Sequence, residues 1–257
     1  AAVNGDTILV RDGTYKGPQN RALDFAGKAI TLQSENGPAN CIIDCESAAR
    51  AFYFHSGETA ASRLEGLTIR NGYNSSHGPA IYCAASPTIV HCTIENSQAG
   101  TFGYGGGIYI EIGSPTIDHC LIRNNHAEHG GGIFCNAASP KILDCLITGN
   151  SVTASGGGIH VWKNSNPTIQ RCRIADNQCA NYGGGILFDA ASMTSQGTVL
   201  DCEFSNNQAV YGGGIAFIAN GQVSLSRCII RGNMSTTGGG IYATGAGARP
   251  TLTSCLI

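Results

Sequence analysis

Gly130-Gly131-Gly132-Ile133-Phe134-Cys135, followed ten residues on by Cys145-Leu146-Ile147-Thr148-Gly149-Asn150, is one copy of a unit that recurs along most of this chain. Its isoleucine position returns at Ile81, Ile108, Ile133, Ile159, Ile186, Ile215 and Ile241, after Gly-Pro-Ala in the first copy and Gly-Gly-Gly in the rest. The steps are 27, 25, 26, 27, 29 and 26 residues. A second marker, Cys-x-Ile or Cys-x-Phe, keeps the same pace at Cys92, Cys120, Cys145, Cys172, Cys202, Cys228 and Cys255. Two markers on one period identify a solenoid, whose units must be read together before any single residue is.

Each unit runs GGGI-x-apolar, a variable loop, then Pro-Thr-Ile-x-x-Cys-x-Ile-x-x-Asn. Apolar residues alternate within runs of three to five, a strand periodicity too short for helices. Gly triplets and β-branched residues in every unit argue against a helical solenoid. The fold class is therefore all-β, a three-sided parallel β-helix of about nine coils, each of roughly 26 residues. At the interstrand spacing of about 4.8 Å it makes a rod on the order of 40 Å long. Cys41-Ile42-Ile43-Asp44 already fits the Cys-x-Ile register, and Leu67 stands in the cysteine place one coil later. Residues 1–80 read as irregular first coils and 81–257 as regular ones. No Pro/Ser-rich linker or charge block divides the chain, so a single domain is expected. The triplets lack a following Lys-Ser/Thr and form no phosphate loop.

Asn125, Asn150, Asn177, Asn207 and Asn233 each stand three residues after the Ile or Phe of the cysteine register. A column of amides at one turn can bond up and down the rod, a structural use. The seven register cysteines are flanked by inward isoleucines and should point into the core as free thiols. In-register neighbours about 4.8 Å apart lie just outside disulfide reach. Cys41 and Cys45 are the near pair for which a disulfide stays open, and no cysteine spacing matches a zinc site.

These residues resemble a family. S-P-T-I-x-x-C-x-I-x-x-N with GGGI is similar to the right-handed parallel β-helix repeat of bacterial secreted and surface proteins. Phe204-Ser205-Asn206-Asn207 beside Gly212-Gly213-Gly214-Ile215 resembles the FxxN and GGAI repeats of polymorphic outer-membrane proteins. The opening Ala1-Ala2-Val3-Asn4-Gly5-Asp6-Thr7-Ile8-Leu9-Val10 resembles the first coil of pectate-lyase-like chains. The resemblance implies a right-handed coil and an extracellular or cell-surface setting of bacterial type. It implies no single activity, because that fold carries lyases, hydrolases, adhesins and inert scaffolds.

Composition removes other classes. With 12% charged residues and a net charge of −2, nothing in the chain attracts nucleic acid or an acidic membrane surface. No run of 18 apolar residues exists, so no membrane span is expected. Neither a secretory signal nor an initiator Met stands at the start, and Cys255-Leu256-Ile257 stops within a unit. The sequence thus reads as a segment of a longer chain, whose open coil end could associate with another.

If the cysteine and isoleucine columns face inward, function should be sought on their outward neighbours. The residue before each register cysteine runs His91, His119, Asp144, Arg171, Asp201, Arg227, Ser254. With Asp118, the set His91, Asp118, His119 and Asp144 is the best acid/base or metal candidate. The same column also reads as an alternating charge ladder between adjacent strands. The residue after each GGGI isoleucine forms a second outward column: Tyr82, Tyr109, Phe134, His160, Leu187, Ala216, Tyr242. Two places on stand Glu111, Trp162 and Asp189. Flat rings beside polar acceptors suit the faces of sugars, and they equally suit stacking along a sheet. Tyr104, His129, Tyr182 and Tyr211, just before the triplets, fall at the neighbouring corner. Glu111 and Asp189 are three coils apart, about 14 Å at the strand spacing, too far for a glycosidase pair.

The sequence thus points to a rod and binding surface for polysaccharide, with ligand contacts at Tyr82, Tyr109, Phe134, His160, Trp162, Glu111 and Asp189. A carbohydrate-active enzyme, a polysaccharide lyase or glycoside hydrolase working through Asp118, His119 and Asp144, is the rival class. A self-associating filament or adhesin segment is the third. No cofactor is expected; calcium, as in pectate lyases, would need more acidic ligands than Asp118 and Asp144 provide.

Overall fold

A computed structural model describes residues 2–257, of which 191–194 are described only as part of a strand. The chain winds into a right-handed parallel β-helix of about nine coils. In the coil from Thr116, strand Thr116–Asp118 turns at His119 into strand Leu121–Arg123. A second corner at Asn124 leads past Asn125 to strand His126–His129, and Gly130 opens the way to strand Ile133–Asn136. Among the described residues the coils pair into sheets of 16, 9 and 5 strands. The widest unites the Pro-Thr-Ile and GGGI ladders, because Ile186–Leu200 and Ile215–Ser226 run through both without a break. No helix is long and apolar enough to cross a membrane.

Each coil bends at three left-handed residues, and stacking puts these in columns. The first corner is Gly66, His91, His119, Asp144, Arg171, Asp201, Arg227 and Ser254, with φ between 50° and 68°. The second is Asn71, Asn96, Asn124, Gly149, Asp176, Asn206 and Gly232, mostly the residue types that tolerate this conformation. The third is the first glycine of each triplet. A Cβ at Gly130 (φ 62°) would lie 2.6 Å from the Ile133 carbonyl oxygen. At Gly132 it would lie 2.7 Å from the Gly158 oxygen of the next coil and 3.2 Å from Asn150 Nδ2. The triplet therefore sets both the turn and the close approach of backbones.

Lateral pairing stacks like on like: Ile81, Ile108, Ile133, Ile159, Ile186, Ile215 and Ile241 form one inward column. Ile94, Ile122, Ile147, Ile174, Phe204 and Ile230 form another, and the buried core runs continuously from Phe25 to Ile230. Each fully buried Ile contributes about 1.5–3 kcal/mol relative to exposure, so the columns supply the main drive for coiling. Eleven cysteines are buried and free; Cys255, in the last described coil, is half-buried. Cys145 donates its S–H to the Leu143 and Ile117 carbonyls at 3.1 and 3.6 Å. Burial pushes the Cys83 and Cys135 thiols up to about 12, so they serve as small apolar side chains. Cys41 and Cys45 are likewise free thiols.

The amide column forms a continuous ladder at the second corner. Asn150 donates from its backbone N–H and from Nδ2 to Asn177 Oδ1, both at 3.0 Å, while Nδ2 also reaches the Ile122 carbonyl. The pattern repeats from Asn125 to Asn150, Asn177 to Asn207 and Asn207 to Asn233. Ser97, whose N–H donates to Asn125 Oδ1, and Gly72, whose N–H donates to Ser97 Oγ, complete it toward the first coils.

Candidate functional site

The first corner carries the acid/base candidates. His119 Nδ1 lies 2.8 Å from Asp118 Oδ1, and the His91 and His119 rings are 5.1 Å apart. Asp144 accepts from Arg171 Nε at 2.7 Å and Nη2 at 2.6 Å, and Asp201 accepts from Arg227 in the same way at 2.7 and 2.9 Å. The Arg171 fork holds the Asp144 carboxyl below its usual range. Donor atoms of Asp118, His119 and Asp144 lie within 4.8 Å of one another, a spacing that could hold a cation. Yet both Asp144 oxygens are engaged by a guanidinium, whose charge opposes a second cation, and only two carboxylates are present. The set does not fit calcium, which takes six to eight oxygens. It fits a ladder of cross-strand ion pairs.

The second outward column is built differently from its reading in the sequence. Tyr53, Tyr82, Tyr109, Phe134, His160, Leu187, Ala216 and Tyr242 are successive lateral partners along the GGGI ladder. They point away from the coil interior, but Tyr109, Phe134 and His160 are only 4%, 1% and 3% exposed, and Leu187 and Ala216 are also buried. The expectation that this column meets solvent is corrected by a second layer folded over it. The residue before each left-handed glycine supplies the cover: His77 stacks on Tyr109 at 4.7 Å, Tyr104 on Phe134 at 4.9 Å, and His129 meets His160 edge-on at 5.1 Å. Tyr82 stays half-buried beneath Arg50, whose guanidinium lies 4.9 Å from the Tyr53 and Tyr82 ring centres.

This cover is incomplete. Between His129 and Tyr182 the covering position is Ser155, which has no ring. Beside it opens a pocket of about 220 Å³ lined by Tyr104, His129, Phe134, His160, Trp162 and Asp189. Trp162 and Asp189 are lateral neighbours, and His160 Nε2 lies 3.9 Å from Asp189 Oδ2. The ring nitrogens of His160 and the Nδ1 of His129 are buried and make no close hydrogen bond; the Ser155 backbone is the polar group that acts on both rings. Of the residues singled out in the sequence, Phe134, His160, Trp162 and Asp189 come together here. Tyr82 and Glu111 do not line the pocket, and Tyr109 lies sealed under His77. A larger open groove of about 640 Å³, lined by polar side chains including Asn166, Gln196, Gln222 and Arg249, had no mark in the repeat pattern.

A family model described as a right handed beta helix region matches residues 8–153 and 105–257. The chain belongs to this family. Among solved structures the β-helix is similar to pectate lyase Pel9A, at 16% identity and a TM-score of 0.60, over 97% of this chain and 71% of that one. At that identity the likeness is one of fold. The catalytic unit of a thermostable GH87 alpha-1,3-glucanase from Streptomyces thermodiastaticus strain HF3-3 aligns at 12% identity and a TM-score of 0.29, over 98% of this chain and 63% of that one, and carries no argument. No curated protein matches by sequence.

The pocket gives the β-helix a pH dependence with a definite sign. Burial, and then the neighbouring His129, push His160 well below its ordinary value; burial likewise lowers His77 and His129. Below pH about 6.5 the unfolded chain takes up protons that folded His160 refuses, so its contribution is present above that pH and lost as pH falls. Urea unfolding between pH 7 and 5 should show falling stability, with a limiting slope from His160 of about 1.4 kcal/mol per pH unit. His160→Phe should flatten the curve by that amount; an unchanged slope in the variant would contradict the assignment.

Proposed function

We propose that this β-helix is a polysaccharide-binding rod, outside the cell or at its surface, with its principal contact site at the ring-lined pocket over Phe134 and His160. The observation that carries the reading is the combination of ring faces and the Asp189 carboxylate in one opening on the ridge. Sugars present C–H patches and hydroxyls side by side, so one ring of a saccharide meets both kinds of surface at once. The open groove by Gln196 and Gln222 offers polar side chains without such rings.

Glycan-array binding of the wild type and Trp162→Ala tests this. The half-exposed Trp162 contributes little to the coil interior, so the variant should fold, and it should bind the array hits about 5–30-fold more weakly, a loss of about 1–2 kcal/mol. Asp144→Asn, at the corner ladder, should bind as the wild type does. Binding unchanged by Trp162→Ala would move the contact to another face, such as the open groove. Shortening of the glycan by the wild type but not by Asp144→Asn would instead favour an enzyme working from the corner cluster.

A further inference from the structure

The row of rings that covers the ridge resumes beyond Ser155. Tyr182 and Tyr211 are lateral neighbours whose rings stack 5.0 Å apart at 22°. Tyr242, on the following GGGI strand, lies 5.1 Å from Tyr211 and 6.1 Å from Tyr182. Between Leu187 and Tyr242 the column beneath them narrows to Ala216, so rings from three coils converge over one methyl group. All three tyrosines stay half-exposed, unlike the sealed Tyr109 and Phe134. They form a ring platform on the same ridge as the Trp162 pocket. Trp162 ends the strand Ile159–Trp162, and Tyr211 stands at the GGGI strand two coils on, about 10 Å along the rod.

We propose that Tyr182, Tyr211 and Tyr242 form a second saccharide subsite, and that the polysaccharide bound is a neutral, straight chain lying parallel to the rod axis. The inference rests on the polysaccharide reading above and names its ligand class. Ile159, Ile186, Ile215 and Ile241 follow one another in unbroken lateral register, so pocket and platform lie in line on neighbouring coils. A chain of pyranose rings joined through equatorial bonds is a flat ribbon that keeps to such a line and presents C–H faces along it. Each ring advances the ribbon by about the spacing of one coil, so a stretch of about four sugars reaches from the pocket across the tyrosines. A chain with axial linkages curls and leaves the ridge after its first contact. The platform is made by tyrosine, leucine and alanine side chains. A carboxylate or sulfate brought there would be desolvated against negative ring faces without a partner, which disfavours an acidic chain. Phenol hydroxyls at the ring edges donate to and accept from sugar hydroxyls while the ring faces take the C–H patches.

The test is calorimetric titration of the full chain at pH 7 with cellobiose, cellohexaose and maltohexaose. Cellohexaose should bind about tenfold more tightly than cellobiose, the size of one added ring-stacking contact, and about tenfold more tightly than the axially linked maltohexaose. Tyr211→Leu keeps an apolar cover over Tyr242 and removes the flat ring. Checked for an unchanged urea midpoint, it should shrink the advantage of cellohexaose over cellobiose to about twofold and leave cellobiose, held at the Trp162 pocket, bound as in the wild type. The length and linkage series on the wild type needs no variant. Equal binding of cellobiose and cellohexaose there would overturn the second subsite and leave the polysaccharide reading standing. Maltohexaose binding as tightly as cellohexaose would overturn the straight chain. A length advantage that survives in Tyr211→Leu would overturn the assignment to these tyrosines. Absence of binding by all three probes would overturn the neutral-chain inference, and the array comparison of the wild type with Trp162→Ala then decides the polysaccharide reading separately.

Discussion

Asn177→Ala should lower the stability of the rod by on the order of 3–6 kcal/mol, among the largest losses available to any side-chain truncation in it. Asn177 Oδ1 accepts from both the backbone N–H and Nδ2 of Asn150, and its own Nδ2 donates to the Ile147 carbonyl and to Asn207 Oδ1, all at 3.0 Å. Removing the amide strands two donors on Asn150 in a fully buried corner and withdraws one of the donors to the Ile147 carbonyl. Each such orphan costs about 1–3 kcal/mol, against the ~1 kcal/mol of an ordinary exchanged hydrogen bond. Asn233→Ala removes the same group from the half-buried end of the ladder and should cost visibly less. Urea midpoints for the two variants, read by far-UV circular dichroism, decide it. Equal small losses would mean that the ladder is a passive consequence of stacking.

Gly132→Ala should be comparably severe for a different reason. Its Cβ would sit 2.7 Å from the Gly158 oxygen, 3.0 Å from Ile147 Cγ2 and 3.2 Å from Asn150 Nδ2. The first is backbone paired into the next coil and cannot swing aside. Two coils must therefore separate locally or the amide ladder must shift, and overpacking of this kind costs about 1–3 kcal/mol before backbone pairing is lost. A loss on the order of 3 kcal/mol or more is expected in the same urea assay. Gly221→Ala is the matched control: its Cβ would have only ordinary contacts at 3.8–3.9 Å, and the variant should be neutral or slightly stabilised.

The columns could be read from sequence because a solenoid repeats every inward position once per coil. The Ile, Cys and Asn registers are statements of that period, and lateral pairing carries them into the core. The corner at His119 and Arg171 could not be read in the same way. Arginine is not among the residue types enriched in the left-handed region, so the φ of Arg171 is imposed by the strands on either side. Gly13–Tyr15, outside the regular repeat, is a strand because it pairs with Cys41–Ile43. The ridge was misjudged through a limit of alternation itself. A period of two says that Phe134 points away from the coil interior; it cannot say that Tyr104, from a loop of variable length, folds over it. The sequence signal for the cover was present in the residue preceding the left-handed glycine, where His77, Tyr104, His129, Tyr182 and Tyr211 share one place and Ser155 and Thr237 interrupt it.

Trp162 is the only tryptophan in the chain, so its emission reports on the pocket and on nothing else. Titrating the wild-type protein with saccharide tetramers while recording this emission, alongside calorimetry on the same samples, tests directly whether the pocket is a saccharide site. The account predicts a saturable change in Trp162 emission with the same midpoint as the calorimetric isotherm. Calorimetric saturation with no change in emission, or no binding by either readout across neutral, acidic and amino saccharides, would contradict it.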